Sequence, residues 1–346
     1  MSEQANVYVV LLNWNGWQDT IACLQSLFRS RDFRLRVIVC DNASSDGSMD
    51  RITAWANGDQ AIEQPAHPRL AKLVARQAPL PLPTVRIDRA MAEQGSCDSD
   101  APLVLIDNGA NLGFAAGNNV GLRFALCQPD MDYVWVLNND TLVEPDCLAN
   151  MVRRLESAST PAVCGSMIHF FDRPEVIQAI GGNRFNRLTG EAACSEGRFT
   201  HEDTALDIGS IERRLDYLSG CSLLLPRQFL ETVGLMSEDY FLYYEEIDWF
   251  TRAAGRFRIC IAPDARIYHR EGRSIGSKNL YKAASTLSDF HMFRSRLIYM
   301  RKHHGRFPAL CYADSWVAVL KRLLRGQYRN AVTVGSVLLG KQSFSG

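Results

Sequence analysis

No stretch of this chain approaches the roughly 20 apolar residues that a membrane span needs. The start, MSEQANVYVVLLNW, lacks a basic segment ahead of its apolar run, and that run has only the length of a strand. The ten cysteines stand singly, with no CxxC pair, which excludes a paired-thiolate metal site and implies a cytoplasmic chain with reduced thiols. Each is then accounted for as a small buried hydrophobe. Internal repeats are absent. Net charge is absent too, with 38 basic and 38 acidic residues, so the chain has no nucleic-acid-binding character overall. The balance is uneven, however. Residues 291–330 hold nine Lys or Arg and only Asp314 as an acid, so the tail is expected to face something anionic.

What is present is an ordinary globular composition, 47% hydrophobic over 346 residues, enough for one large α/β domain with an appendage. VYVVLLNW reads as a buried strand, WQDTIACLQSLFRS as a helix with Ile21, Leu24 and Phe28 on one face, and LRVIVCDN as a second strand. Strand, helix, strand implies a right-handed crossover and a parallel sheet. Residues 58–100, rich in Pro and Ala, read as a surface insertion with one short helix. LVLI, a helix through Phe124 and YVWVLNND form another such unit, followed by a helix in EPDCLANMVRRLE and the strand AVCGSMIHF. DYLSGCSLLLPRQFLETVG gives a strand and a helix, FRICIAPDARIYHREG two short strands, and the chain is helical from about residue 280.

Four polar clusters fall after strands: NWNG, CDNASSDGS, NLGFAAGNN and NND. A single such cluster is ordinarily a turn. Ligands of open α/β sheets, however, bind beyond the carboxyl ends of the strands, and four clusters on one edge would line a cleft with amides, backbone N–H groups and the carboxylates of Asp41 and Asp140. An Asx-turn cap is the plain alternative for Asp41 and the better account of Asp46.

The ordered set LLNWNG, CDNASSDGS, NLGFAAGNNVG, VLNNDT, LSGCSLLLPR, FLYYEEIDWFTRAAG and IYHREGRSIG, spanning residue 7 to about 275, resembles inverting glycosyltransferase family 2, and within it the bacterial rhamnosyltransferase-like branch. The resemblance implies the α/β GT-A fold: a mixed, mostly parallel central sheet flanked by helices over residues 1–278, with a basic helical extension at 279–346. It implies that Asp41 accepts from the ring N3–H of uracil or thymine, a role that suits an acceptor-only carboxylate. Asn13, Asn15, Asn42, Asn111, Gly117, Asn118, Asn138 and Asn139 would complete the nucleotide-sugar site. NND stands where the family has its DxD motif, so Asp140 would hold Mg2+ or Mn2+, with His269 completing the metal shell or meeting the pyrophosphate. Asn138 departs from the family's acid there, which implies a weaker metal site without nucleotide.

The general base would be Glu246, with Glu245 as its neighbour-alternative, although relatives usually carry Asp at that place. Gly220, Asp248 and Trp249 would lie on the acceptor side, although Gly220 equally serves a tight bend and Asp248 a helix N-terminus. The implied donor is a dTDP- or UDP-sugar, with dTDP-L-rhamnose favoured by the branch. The implied acceptor is a saccharide or a polyprenyl-linked glycan in cell-surface polysaccharide synthesis. A sugar nucleotidyltransferase would need a Gly-rich basic loop near the N-terminus that LNWNGWQDT does not provide. A non-catalytic nucleotide-sugar subunit would need no YYEEID. In the tail, Trp316, Val319, Leu320, Leu323 and Leu324 form an apolar stripe beside Lys321, Arg322 and Arg325. Two readings stay open: helices in an anionic membrane interface at the inner face of the cell membrane, or helices packed on the catalytic domain or another subunit. His303 and His304 are expected in a solvated tail. The oligomeric state is open.

Overall fold

The computed structural model describes residues 5–30, 33–75, 80–97, 99–193, 197–270, 284–305 and 309–344. Strand β1 (Asn6–Asn13), helix α1 (Trp17–Leu27), strand β2 (Arg34–Asp41) and helix α2 (Ser48–Asn57) open the chain. After α3 (Pro68–Val74) come β3 (Thr84–Asp88), α4 (Arg89–Glu93), β4 (Leu103–Asp107), α5 (Gly113–Cys127) and β5 (Tyr133–Asn138). β6 (Thr141–Val143), α6 (Cys147–Glu156), β7 (Ala162–Phe170) and β8 (Ile177–Ile180) follow. A small three-stranded sheet is built from β9 (Gly182–Asn186), β10 (Glu191–Ala193) and, after α7 (Ile208–Glu212), β11 (Tyr217–Leu218). β12 (Ser222–Pro226), α8 (Arg227–Val233), α9 (Glu245–Ala253) and β13 (Arg258–His269) complete the body. The tail is α10 (Thr286–His303), α11 (Ala309–Leu324) and α12 (Tyr328–Leu338).

The main sheet runs β3-β4-β2-β1-β5-β12-β7-β13-β6, with β8 beside β7. β3, β4, β2, β1 and β5 are mutually parallel, β12 is antiparallel to both its neighbours, and β13 is parallel to β7. It is the mixed, mostly parallel sheet expected. Side chains of β1 alternate between two cores: Val7, Val9 and Leu11 meet Ile21 and Leu24 of α1, whereas Val10 faces Val120 and Phe124 of α5. Burial on both faces explains why these strands are continuous apolar runs rather than alternating ones. Each such buried side chain stabilises the fold by about 1.5–3 kcal/mol relative to exposure.

Three expectations need correction. Residues 58–100 are not merely a surface insertion, because Thr84–Asp88 pairs with β4 as the edge strand of the main sheet, and Leu70 and Leu73 of α3 are buried against Leu142 and Tyr268. The signal was weak because in β3 only Ile87 is buried. Arg258–His269 is one long strand with an irregularity between Ala262 and Arg266 rather than two short strands. His303 is not solvated. Its Nε2 lies 2.7 Å from Oδ2 of Asp248. The boundary expected at 278 and the EGRSIG half of IYHREGRSIG lie outside the described residues.

Asp248 joins the tail to the body. Its carboxylate is fully buried and accepts from Arg252 Nε at 2.7 Å and Tyr240 OH at 3.1 Å, with Lys302 Nζ 3.1 Å away. Burial alone would raise its pKa, but His303 and Arg252 outweigh it and hold the group below its usual value. Trp249 is also fully buried, edge-on to Phe229, and its indole N–H donates to the Gly234 carbonyl at 2.8 Å. Neither residue can touch an acceptor, so the assignment of Asp248 and Trp249 to the acceptor side is corrected to core positions. Asp248→Ala takes the buried partner from Arg252 and Lys302, which are themselves partly exposed, and is expected to cost about 2 kcal/mol in urea unfolding of the whole chain. Asp239→Ala, which removes the more exposed partner of Lys302, is expected to cost less than about 1 kcal/mol.

Candidate active site

The four polar clusters converge because β4, β2, β1 and β5 are adjacent and parallel, so all end on one edge. At the centre stands Asn13, the last residue of β1 and fully buried. Its Nδ2 donates to Asp41 Oδ1 at 2.6 Å and to Ser44 Oγ at 3.1 Å. Its Oδ1 accepts from Thr20 Oγ1 at 2.9 Å and from Asn139 Nδ2 at 3.2 Å. Asp41 also accepts from the Ser44 N–H at 2.8 Å and the Ser44 hydroxyl at 2.7 Å. The carboxylate therefore carries the Asx-type turn, with room for about one further donor among its four lone-pair directions. Asn15, in the left-handed region with φ 51°, accepts from the Ser45 N–H at 2.8 Å and so locks the first loop to the second.

A second amide cluster joins β2 to α5. Asn42 Nδ2 donates to the Gly113 carbonyl at 3.0 Å and to Asn111 Oδ1 at 3.3 Å, and Asn42 Oδ1 accepts from Asn108 at 2.8 Å. A Cβ on Gly117 would sit 2.6 Å from Leu12 and 2.8 Å from Asn42 Oδ1, so α5 lies against the sheet only because that residue is glycine. Asn118 is buried and donates to Phe114 O of its own helix at 2.9 Å. Gly117 and Asn118, expected among the nucleotide-binding residues, are thus part of the packing that shapes the loop.

The end of β5 meets the end of β13. Asp140 Oδ1 lies 3.2 Å from His269 Nε2, and both side chains are little exposed. Asn138 Nδ2 is 3.3 Å from the same ring nitrogen, while Asn139 points the other way, to Asn13 and Thr20. His269 Nδ1 faces Gln178 Oε1 at 2.9 Å. That oxygen can only accept, so Nδ1 carries a hydrogen and Nε2 of the neutral ring aims a lone pair at Asp140. Two acceptors at that spacing need a proton or a cation between them. Burial lowers the ring's proton affinity, but Cys221 and the Asp140 carboxylate reverse this and hold the pKa well above an ordinary imidazole. Among the described residues no group of three or more His, Cys, Asp or Glu is arranged to hold a metal, so this corner offers two protein ligands only.

Across the Gly220–Cys221 turn lie the acids. Cys221 O accepts from the Asn138 N–H at 3.0 Å, which ties the turn to the Asp140 corner. On its other side, a Cβ on Gly220 would lie 3.4 Å from both Glu246 Oε1 and the Phe114 ring. Glu245 and Glu246 begin α9, preceded by Tyr243 and Tyr244 in left-handed conformations, with φ 66° and 73°. Glu245 is buried and Glu246 partly so, and one oxygen of each has no hydrogen-bond partner. Burial, then the charge of Glu246, raises the Glu245 pKa well above the usual carboxylate range. Burial raises that of Glu246 too, opposed by the Gly220 peptide.

With this geometry in place, likeness to known proteins carries information. Residues 87–200 match the model of Glycosyl transferase family 2, a span that takes in the Asn108–Asn119 and Asn138–Asp140 clusters. The low-salt glycan biosynthesis hexosyltransferase Agl10 of Haloferax volcanii is 26% identical over 152 residues, 43% of this chain. The matched part spans 45% of that relative's length. Mannosyltransferase PcManGT from Pyrobaculum calidifontis, in complex with GDP-Man and Mn2+, superimposes with a TM-score of 0.51 at 16% identity, covering 99% of this chain and 77% of the other. GalNAc-T7 with UDP, GalNAc and Mn2+ gives 0.56 at 12% identity, covering 90% of this chain and 51% of the other. The fold is GT-A, and the sequence likeness supports glycosyltransferase family 2.

In this GT-A domain the structure gathers Asn13, Asn15, Asp41, Asn42, Asn111, Asn138, Asn139, Asp140, Gly220, Glu245, Glu246 and His269 around one sheet edge. It adds Thr20, Ser44, Phe114, Asn108, Gln178 and Cys221. Ser44 lies inside the CDNASSDGS motif and Thr20 in the first turn of the helix that follows NWNG, and both follow from turn and helix chemistry. Gln178 sits on β8, within residues 172–216, a Gly-rich polar stretch whose composition suits long loops and short hairpins, and nothing in its sequence context marks it.

Glu245 and Glu246 hold their protons more tightly folded than unfolded. Their contribution to stability is full below the ordinary Glu pKa and is lost as pH rises through the raised values. Urea midpoints of the wild type are expected to fall as pH rises above the ordinary Glu range, and Glu245→Gln to flatten that slope.

Proposed function

We propose that this protein is an inverting, metal-dependent hexosyltransferase that takes its sugar from a nucleoside diphosphate donor. The observation that carries the reading is the placement of the Asp140–His269 pair and the Glu246 carboxylate on opposite sides of the Gly220–Cys221 turn. One side suits a leaving diphosphate and the other an incoming hydroxyl. The donor set fits Mg2+ or Mn2+, hard cations that accept one or two protein ligands and fill the remaining positions with phosphate oxygens and water. Bound there, such an ion neutralises charge developing on the departing diphosphate.

The residues do the rest. Gln178 fixes the tautomer and the direction of His269, a support that typically changes metal affinity 10–100-fold. Glu246, more accessible than Glu245 and with a pKa raised by burial, removes the proton of the acceptor hydroxyl as it attacks the anomeric carbon. The diphosphate leaves with the bonding electrons from the opposite face, so the anomeric centre inverts. Asp41 uses its remaining lone pair for the N3–H of a pyrimidine ring. The motif resemblance narrows the donor to dTDP-L-rhamnose and the acceptor to a saccharide or a polyprenyl-linked glycan. A binding subunit without chemistry would not require two partnerless buried carboxyl oxygens at the turn.

Glu246→Gln is expected to lower kcat by about 10²–10⁴-fold with donor Kd unchanged, whereas a collapse of donor affinity would remove Glu246 from the role of base. Because the protein supplies two ligands, Mn2+ alone should bind weakly and dTDP or UDP should strengthen it in calorimetric titrations. Asp140→Asn should abolish that coupling. Donor binding that ignores both Mn2+ and Asp140 across dTDP-, UDP- and GDP-sugars would sink the proposal.

A further inference from the structure

We propose that the outward face of α11, with the adjoining stripe of α12, docks on an anionic phospholipid surface. Nine of the twelve exposed large hydrophobic side chains among the described residues fall in these two helices and their ends. On α11, Leu310, Trp316, Val317, Leu320, Leu323 and Leu324 face outward, while Cys311, Ser315 and Val319 are buried. The expectation that Val319 belongs to the outer stripe is thereby corrected. At 100° per residue the outward set spans an arc of about 140°, on the face where a surface helix ordinarily carries its polar side chains. On α12, Tyr328, Val332 and, just past its end, Leu339 continue the apolar surface. Scattered exposed hydrophobics need no explanation, but a contiguous concentration marks an interaction surface.

Charge selects the occupant. Lys321, Arg325 and Arg329 are exposed at the border of the patch. Between residues 309 and 344 the only acid is Asp314, which is engaged by Arg296 at 2.7 Å. A second copy of this surface would bring like charges together, which disfavours self-association. An anionic bilayer meets both requirements, accepting the apolar side chains below its headgroups and the cations at them. The 16 residues of α11 fall short of a span, and no helix of the described residues is long and apolar enough to cross a membrane. The helix therefore lies on the surface.

The patch is also tied to the acids. Asp289 of α10 holds Arg322 of α11 and Asn330 of α12, each at 2.6 Å. The preceding residue, Ser288, meets the Tyr243 hydroxyl at 2.8 Å, in the segment that leads into Glu245 and Glu246. If the transfer reaction proposed above holds, docking would fix Glu246 relative to a lipid-borne acceptor. The docking itself does not depend on that reading.

The test is sedimentation of the full chain with vesicles of phosphatidylcholine, with and without phosphatidylglycerol. Binding is expected only with phosphatidylglycerol and should weaken as salt rises. Leu320→Asp with Leu324→Asp should lower vesicle affinity roughly tenfold or more, the scale of losing two leucines' apolar contact. Arg325→Glu with Arg329→Glu should do the same by charge alone, both variants keeping the wild-type circular dichroism and thermal midpoint. The proposal is overturned if phosphatidylglycerol vesicles fail to bind, or if neutral vesicles bind equally. It is equally overturned if both variants bind like wild type, or if sedimentation velocity shows a wild-type dimer that the leucine substitutions abolish. Each of these results leaves donor binding untouched, so failure here is distinguishable from failure of the transferase reading.

Discussion

One buried amide governs the geometry of this sheet edge. Asn13 uses both hydrogens and both lone-pair directions of its side chain, giving to Asp41 and Ser44 and taking from Thr20 and Asn139. Because β1 lies between β2 and β5, that amide is the physical link between the loop of the first carboxylate and the loop of the second. An aspartate in its place would offer no donors, and a leucine would leave several buried polar groups unpaired, each at a cost of about 1–3 kcal/mol. The distance between Asp41 and Asp140 is thus set by a saturated hydrogen-bond network rather than by loop composition.

The opposite wall is held by close backbone approach. Gly113 has φ +79°, and a Cβ there would fall 2.3 Å from the Phe241 carbonyl oxygen. That same oxygen accepts from the Phe114 N–H at 2.7 Å. The contact brings the segment before α9 against the start of α5. Tyr243 and Tyr244 then turn the chain through two left-handed residues, a strain of about 1–3 kcal/mol apiece. Tyr244 offsets it by donating to the Gly190 carbonyl at 2.6 Å, and Tyr243 reaches α10. The acids are therefore aimed by a strained turn clamped between the body and the tail, which gives the C-terminal helices a structural stake in the site.

Charge is distributed by the same logic. The buried Asp248 collects Arg252 from α9 and Lys302 and His303 from α10, and Asp289 collects Arg322 and Asn330 from the two outer helices. These internal pairings consume the acids of the region. The exposed border of α11 and α12 is left basic, beside apolar residues that no other part of the described chain covers.

The sequence by itself determined the α/β class, the parallel core and the order in which polar loops follow strands, because continuous Val- and Leu-rich runs alternating with helical periods admit few other arrangements. Glu245 and Glu246 at a helix start, and Asp41 and Asp140 at strand ends, were legible for the same local reason. Tertiary structure decided what those residues do. It engaged Asp41 in a turn, sent Asn139 inward to Asn13, gave His269 its partner Gln178 from β8, and buried Asp248 and Trp249 away from any ligand. It also turned Thr84–Asp88 into an edge strand and Val319 toward the core. Hydrogen-bond saturation and burial depend on which distant segments become neighbours, and no periodicity along a single chain records that.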